Sequence, residues 1–433
     1  MSLNEPSSGA PAGAQGAATP EPPRPPRLAE GFAAFRFRNF RNFWIGPLAS
    51  LVGTWMQTVA MAWLVLELTD SPLAVGLVWT CQFTPVTVFG MLGGVSADRW
   101  PKRRLLFLTQ TGAALQALAL GLLTLSGHIQ YYQVLILAAV LGTFNALDMP
   151  TRHSFIVELV GRDALLNAIA FNSSAFNAAR ILGPAIGGVL IARFGAGVVF
   201  LINAASYLAM IAGLLAVRES ALFAQPARRR EGVWASLQSG LRYVRGSAPV
   251  TLAVFLVAVV ATFGMNFTVL LPVMARDVFR IGSEGFGALM ASLGVGSVSA
   301  GLVLAFRRRV DPIRTMLVGA GGLALADIAL ALSPRANFTP LAFALLFGAG
   351  FAAVSLTATA NTAIQSRVPD ELRGRVMSVY LTAFAASVPL GGLFAGALAR
   401  AWGAPFALAV GGLLSGLALI VALWRLRPAA LAG

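Results

Sequence analysis

Runs of about 20 apolar residues recur along the chain, each long enough as a helix to cross a hydrocarbon layer of ~30 Å. They lie at 43–68, 73–96, 104–126, 131–149, 168–192, 197–217, 250–272, 285–306, 315–333, 339–362, 376–399 and 404–424. This pattern predicts an all-α membrane protein of twelve transmembrane helices. It does not fit a β-barrel, whose short strands alternate apolar and polar positions. Residues 1–30 contain no apolar run and are rich in Pro, Ala, Gly and Ser, as in Pro22-Pro23-Arg24-Pro25-Pro26, so a disordered tail is expected there. They also lack the basic-then-apolar order of a signal peptide, so the first run is expected to stay in the protein as a helix.

The longest internal connection, 218–249, separates six runs from six. Within it Val233, Leu237, Leu241 and Val244 recur at helical spacing beside Arg242 and Arg245, which predicts an amphipathic helix, either laid on the membrane surface or serving as a solvated linker. The two halves also resemble each other. Pro184-Ala185-Ile186-Gly187-Gly188 in the fifth run answers Pro389-Leu390-Gly391-Gly392 in the eleventh. Leu159-Val160-Gly161-Arg162-Asp163 likewise answers Arg367-Val368-Pro369-Asp370-Glu371. Such duplication predicts two six-helix bundles, 31–217 and 250–425, packed around a central path, with a short tail at 426–433.

Composition agrees with the pattern: of 433 residues 57% are hydrophobic and 11% charged, against roughly a quarter charged in soluble chains. The net charge of +15 would point to nucleic acid in a soluble protein, so its placement matters. Of the 32 Lys and Arg, 26 fall in the first tail, in every second connection and at the C-terminus; five fall in the opposite connections, and Arg180 lies inside the fifth run. That asymmetry accounts for the charge by topology, predicts that both termini are cytoplasmic, and removes the reason to expect a nucleic-acid partner. Cys81 stands alone within an apolar run, and His128 and His153 are too few for a structural zinc site, so neither a disulfide nor a metal is expected. No cofactor is expected. With no paired His and Glu on one helix, no Ser–His arrangement and no phosphate-binding Gly loop, an intramembrane enzyme is not expected either.

Chemistry-bearing residues concentrate in three places. The second run ends in Gly93-Gly94-Val95-Ser96-Ala97-Asp98-Arg99-Trp100-Pro101-Lys102-Arg103-Arg104, where small residues permit close helix approach and Asp98 stands within reach of a neighbouring helix N-terminus. This stretch resembles the loop motif between helices 2 and 3 of the major facilitator superfamily, at Gly94, Asp98, Arg99, Lys102 and Arg103. Pro101 stands where that family has a second glycine. Asp148 and Arg152 close the fourth run, and the resemblance implies that an acid here bridges to the basic residues of that loop and holds an inward gate closed. In the fifth run Arg180 lies ~18 Å beyond Ala168, near the midplane, where an arginine is costly unless it meets water, a partner or a ligand. Gly183, Pro184, Gly187 and Gly188 follow in an order that resembles the helix 5 motif of exporters and antiporters of the superfamily. There the glycines would permit close approach and the proline would bend the helix.

Other intramembrane charges are few. Glu67 at the end of the first run and Asp327 in the ninth are the candidate proton sites, although the ninth run resembles a peripheral helix of the family's fold. A ligand path is expected to be lined by Trp55 and Gln57, Gln82, Asn145, Asn172 and Asn177, Phe263, Asn266 and Phe267, and Thr357 and Asn361. Such a lining suits an amphipathic or aromatic molecule, though each residue would serve equally as interhelical glue. Over residues 35–425 the chain is similar to the transmembrane secretion effectors of the superfamily, the group of the enterobactin exporter. The similarity rests on Glu67-Leu68-Thr69-Asp70-Ser71-Pro72, Ala179-Arg180-Ile181-Leu182-Gly183-Pro184 and Val368-Pro369-Asp370-Glu371-Leu372-Arg373-Gly374-Arg375. It implies a monomeric exporter in the bacterial inner membrane that exchanges protons for a small drug-like or siderophore-like molecule by alternating access. A lipid or lysophospholipid flippase of the same fold and a non-transporting sensor are the other readings.

Overall fold

The computed structural model describes residues 32–223, 233–307, 310–336 and 339–426; the side chains of 90–99, 233–236, 335–336 and 425–426 lie outside the description. The long apolar runs are helical, as they must be where no water is present to pair backbone N–H and C=O groups. The first four are α1 (Arg38–Thr69), α2 (Pro72–Arg99), α3 (Lys102–Leu125) and α4 (Tyr131–Val160). Leu165–Leu215 is one 51-residue stretch broken at Gly195, whose φ of 78° a side chain would resist; it supplies α5 (165–194) and α6 (196–215). The connection that follows carries α7 (Val233–Gly246).

The seventh run is not the single helix its hydropathy predicts. It forms α8 (Ala248–Phe263) and α9 (Phe267–Val273), with a π-turn at Met274–Val278. Asn266 explains how the break is tolerated. Its side-chain amide donates to the carbonyls of Thr262 (2.8 Å) and Phe263 (3.3 Å), which the interrupted helix leaves without partners. The remaining spans are α10 (Gly282–Phe306), α11 (Pro312–Leu332), α12 (Thr339–Arg367), α13 (Asp370–Trp402) and α14 (Ala404–Val421). Among the described residues, 11 stretches are long and apolar enough to cross a membrane, and the break at Gly195 divides one of them into two.

Helix packing follows the small residues. α1 lies along α5 and α6, where Gly46 meets the backbone of Ala209 and Met210 and Gly53 meets Asn203 and Ser206. α3 packs on α4 and α6, α2 on α4, α10 on α12, and α11 on α12 and α14. The helices before and after α7 meet chiefly through α2 against α13 and α5 against α10. Both contacts are backbone on backbone. A Cβ on Gly76 would stand 2.1 Å from the Gly392 carbonyl oxygen, and one on Gly188 would stand 2.9 Å from the Cα of Gly287.

The two ends of the molecule are built differently. At the linker end, α7 packs under α13 through Gly240, against the Arg375 carbonyl, and Tyr243 donates to the Arg367 carbonyl (3.2 Å). At the same end residues 32–37 are pinned to α5: the Ala34 amide donates to Asn167 (2.9 Å) and the Phe35 ring stands edge-on to Phe171 at 4.7 Å. At the opposite, far end, Arg276 of the π-turn donates to the Leu66 carbonyl (2.9 Å) and pairs with Asp70, the αL residue that terminates α1. A cation placed on a helix C-terminus is favoured by the helix dipole.

Candidate functional site

The fifth span brings its motif to the junction of α1, α5 and α10. Gly183 faces Trp55, where a Cβ would lie 2.4 Å from the Trp55 Cβ, and Gly187 faces Met56, so two of the motif glycines seat α5 on α1. Gly188 faces Ser283 and Gly287 of α10 instead. Pro184 is buried, and its carbonyl lies against Gly287. This close seating fixes Arg180 roughly 22 Å from the start of α5, about halfway along it. The Arg180 guanidinium stands 6.0 Å from the Trp55 ring centroid, and Phe176 meets the same indole edge-on at 5.8 Å. Arg180 makes no ion pair among the described residues, while its backbone packs on Gly294 of α10. The result is a half-buried cation beside an indole, which can bind an anion that also carries an aromatic or apolar body.

The polar residues expected along the path separate into two sets. Gln57 is 2% exposed and sits inside a network: Asn203 donates to it (2.7 Å) and it donates to Gln116 (3.2 Å). It therefore ties α1 to α3 and α6 and does not face a path. Asn266 (7% exposed) closes the α8–α9 break, Phe267 is buried beside it, and the Phe263 ring packs edge-on against Phe394 at 4.8 Å. Burial places Asn266 and Phe267 in helix packing, against the expectation that they line a ligand path, while Phe263 is partly exposed. The other set is partly exposed: Trp55, Asn145, Asn172, Asn177, Thr357 and Asn361. Asn177 donates to the Ser173 carbonyl (2.9 Å), Thr357 to the Ala353 carbonyl (2.9 Å), and Asn361 accepts from Gln365. Gln82 is buried on α2, where its carbonyl oxygen has no hydrogen-bond partner; one turn away the indole N–H of Trp79 is likewise buried and unpartnered.

The gating residues assemble differently from the resemblance. Gly94, Asp98 and Arg99 lie on α2, and their side chains fall outside the described residues. Asp148, 6% exposed, meets neither Lys102 nor Arg103 among the described side chains. Its Oδ2 accepts from Arg152 Nε (3.0 Å) and Nη2 (2.8 Å), and its Oδ1 from Thr109 (2.9 Å) and Gln110 (2.7 Å). The reason is height: Lys102 opens α3 at the level of Glu158, ten residues or roughly 15 Å along α4 from Asp148. Lys102 accordingly pairs with Glu158 at 2.5 Å. Arg103 pairs with Glu219 (2.7 Å) and donates to the Leu214 and Leu215 carbonyls (2.8 and 3.2 Å), capping the end of α6. Glu158, Glu219, Thr109 and Gln110 were not singled out from sequence; a carboxylate near the loop's level on α4 was the available signal.

The two candidate proton sites are unlike. Glu67 is exposed near the far end and accepts from the Trp63 indole N–H at 2.6 Å. Asp327 is 1% exposed on α11, and both its oxygens lack hydrogen-bond partners among the described residues. It packs beside Gly412 of α14, with Oδ2 3.2 Å from where a Gly264 Cβ would stand at the α8–α9 break. Among the described residues no group of three or more His, Cys, Asp or Glu gathers in a way that could hold a metal.

A family model described as transmembrane secretion effector matches residues 29–431. The chain is 30% identical to the multidrug efflux pump Tap of Mycolicibacterium fortuitum, over 82% of this chain and 88% of that protein. It is 27% identical to the staphyloferrin A transporter of Staphylococcus aureus strain NCTC 8325, over 60% of this chain and 66% of that protein. It is 26% identical to the enterobactin exporter EntS of Escherichia coli O1:K1, over 87% and 90%. In fold it is similar to the inward-facing, unoccupied crystal structure of a bacterial homologue of the human lysosomal transporter Spinster, with a TM-score of 0.69 at 16% identity, covering 94% of this chain and 98% of that one.

Proposed function

The chain belongs to the transmembrane secretion effector family of the major facilitator superfamily, and from that premise we propose that it exports a small amphipathic molecule in exchange for protons. It is a multi-pass membrane transporter and not an enzyme. The observation that carries the finer reading is Arg180, half-buried at mid-span, faced by Trp55, whose far neighbour is Phe176, and without an acidic partner among the described residues. A cation so placed is expensive unless a ligand anion or water meets it. The cargo is therefore an aromatic or apolar molecule bearing an anionic group, of which catecholates are one class.

In this reading residues 31–217 and 250–425 are two six-helix bundles joined by 218–249, both termini are cytoplasmic, and the protein acts as a monomer in a bacterial inner membrane. The bundles rock about the α2–α13 and α5–α10 contacts, exposing Arg180 to one side and then the other. Gly94, Asp98, Arg99, Lys102, Arg103, Asp148 and Arg152 form the gate at the cytoplasmic end. The close contacts at Arg276, Gly76 and Gly188 lie toward the far end, which supports a conformation closed outward. This reading puts the coupling proton on Asp327, supported by its burial and its lack of any partner; Glu67, exposed and engaged by Trp63, is the weaker carrier.

Dye-reported proton movement in energised inside-out vesicles tests this. Catecholates, cationic drugs and neutral macrolides are added to wild type, Arg180→Gln and Asp327→Asn. The expected result is that catecholates collapse the pH gradient with wild type, at least tenfold less with Arg180→Gln, and not at all with Asp327→Asn, while Asp327→Asn still binds cargo within about twofold. A catecholate response unchanged in Arg180→Gln overturns the cargo assignment. Labelled lysophospholipid crossing the bilayer with no proton movement overturns the exporter in favour of a flippase.

A further inference from the structure

Two open grooves flank α11. One, of about 910 Å³, runs between α11 and α12 from Arg307, Asp311 and Arg314 at the linker end, past Gly348, to Ala329. The other, of about 550 Å³, lies between α11 and α14, from Asp311 and Arg314 to Leu325, walled by Leu419 and Leu423. Between them stands a narrow ridge of α11, on which Val318 and Leu325 are 67% and 69% exposed. The walls are mostly glycine, alanine and aliphatic side chains, with Phe351, Thr315 and Ser355 in the larger groove, and charge stands only at the mouth, where both grooves share Asp311 and Arg314 and the larger adds Arg307.

The charge at the mouth is positive and uncommitted. Arg307 and Arg314 are exposed and make no ion pair among the described residues. Asp311, the acid between them in sequence, is turned onto its own helix: its Oδ1 accepts from the Ile313 amide (3.0 Å) and the Arg314 amide (3.2 Å), capping α11. From Arg314 to Ala329 the larger groove extends roughly 22 Å, more than the ~15 Å depth of one leaflet's hydrocarbon. One acyl chain fits within it.

We propose that an anionic two-chain phospholipid straddles α11, its phosphate held between Arg307 and Arg314 and one acyl chain lying in each groove. Charge complementarity selects the occupant. A basic cluster at the membrane surface attracts an anionic headgroup, whereas a zwitterionic lipid would bring its own cation to the arginines. This site is separate from Arg180, and the proposal does not depend on what the protein exports. Gly348 offers a direct probe, because a Cβ there would meet nothing within 4 Å, so a larger side chain fills the groove without colliding with the protein.

The test is the thermal unfolding midpoint of the purified full chain in neutral detergent, titrated with phosphatidylglycerol, phosphatidylcholine or inorganic phosphate. Phosphatidylglycerol is expected to raise the midpoint of wild type by several degrees, and the other two are not. The shift is expected to fall at least threefold in Arg307→Gln/Arg314→Gln and in Gly348→Leu. Arg242→Gln/Arg245→Gln, which removes the same charge from α7 at the same end, is expected to keep it. An equal phosphatidylglycerol shift in all variants overturns the proposal in favour of diffuse attraction to a basic protein. A shift reproduced by phosphate alone overturns it in favour of a simple anion site, and a shift that tracks protein concentration overturns it in favour of a second copy in the grooves.

Discussion

Among the described side chains Asp148 is held by Arg152, Thr109 and Gln110, and not by Lys102 or Arg103 of the basic loop. Four donors converge on its carboxylate, and Arg152, one helical turn away, supplies two of them. Side-chain exposures of 9% and 17% make the pair largely desolvated, so removing one member strands the other. Breaking such a pair costs about 3 kcal/mol, the low end of the range for buried pairs because Arg152 retains some contact with water. Asp148→Asn is expected to lower unfolding stability by that amount in denaturant titrations. Asp148→Asn/Arg152→Gln is expected to recover at least half of the loss, because no uncompensated charge remains. Residue identity was legible in the sequence here, since an acid and an arginine at i and i+4 on an apolar helix have few other uses. The partner was not, because loop length says nothing of height along the bundle. Gln57 was misplaced for a related reason. An amide on a long, evenly apolar helix has no hydrophobic stripe to show which way it faces, and only packing set it against Gln116 and Asn203.

At the scale of elements, hydropathy located most spans to within about six residues, because burying twenty apolar residues in lipid leaves little choice of structure, but it ended the fourth at 149 where α4 continues to Val160. It missed the interruption of the seventh. Gly264-Met265-Asn266 is a dip too short to survive averaging over a window, and the break is stabilised by side-chain chemistry at Asn266. The glycine motif of the fifth span was legible as a packing device, yet its division of labour, two glycines toward α1 and one toward α10, needed the structure. That division gives a sharp expectation. A Cβ on Gly188 would stand 2.5 Å from the Ser283 carbonyl oxygen, so Gly188→Ala must push α5 from α10 at a cost of about 1–3 kcal/mol. Gly348→Ala, facing open space, is expected to leave the unfolding midpoint unchanged or slightly raised. Parallel thermal melts of the two variants make the comparison, and equal losses would mean that the α5–α10 contact yields easily.

Across the whole molecule, the far end is held by a small number of polar contacts on top of the glycine seams. Arg276 bridges the end of α1 and the π-turn, but Asp70 is 85% exposed, so the ion pair contributes at most about 1 kcal/mol and is screened by salt. Arg276→Ala is therefore expected to enlarge the population open at that end by no more than about fivefold. Spin labels on cysteines replacing Ser71 and Glu284, in a Cys81→Ser background, would report a growing long-distance component. Raising ionic strength is expected to move wild type the same way and the variant hardly at all. An unchanged distance distribution in the variant would mean that Arg276 is not part of the outer closure.

The seams between the halves have a consequence for descent as well as for motion. Gly76 meets Gly392 and Gly188 meets Gly287 through main chain, with the Thr80 hydroxyl donating to the Pro389 carbonyl (3.0 Å) beside the first, so these contacts depend on the absence of side chains at the four glycines. The adjoining glycines are held as closely: Gly187 seats α5 on Met56, and a Cβ on Gly391 would stand 2.5 Å from Asn266 Oδ1. Under the proposed function, a lineage built on such contacts would change its cargo through the residues around Arg180 while these glycines stay as they are.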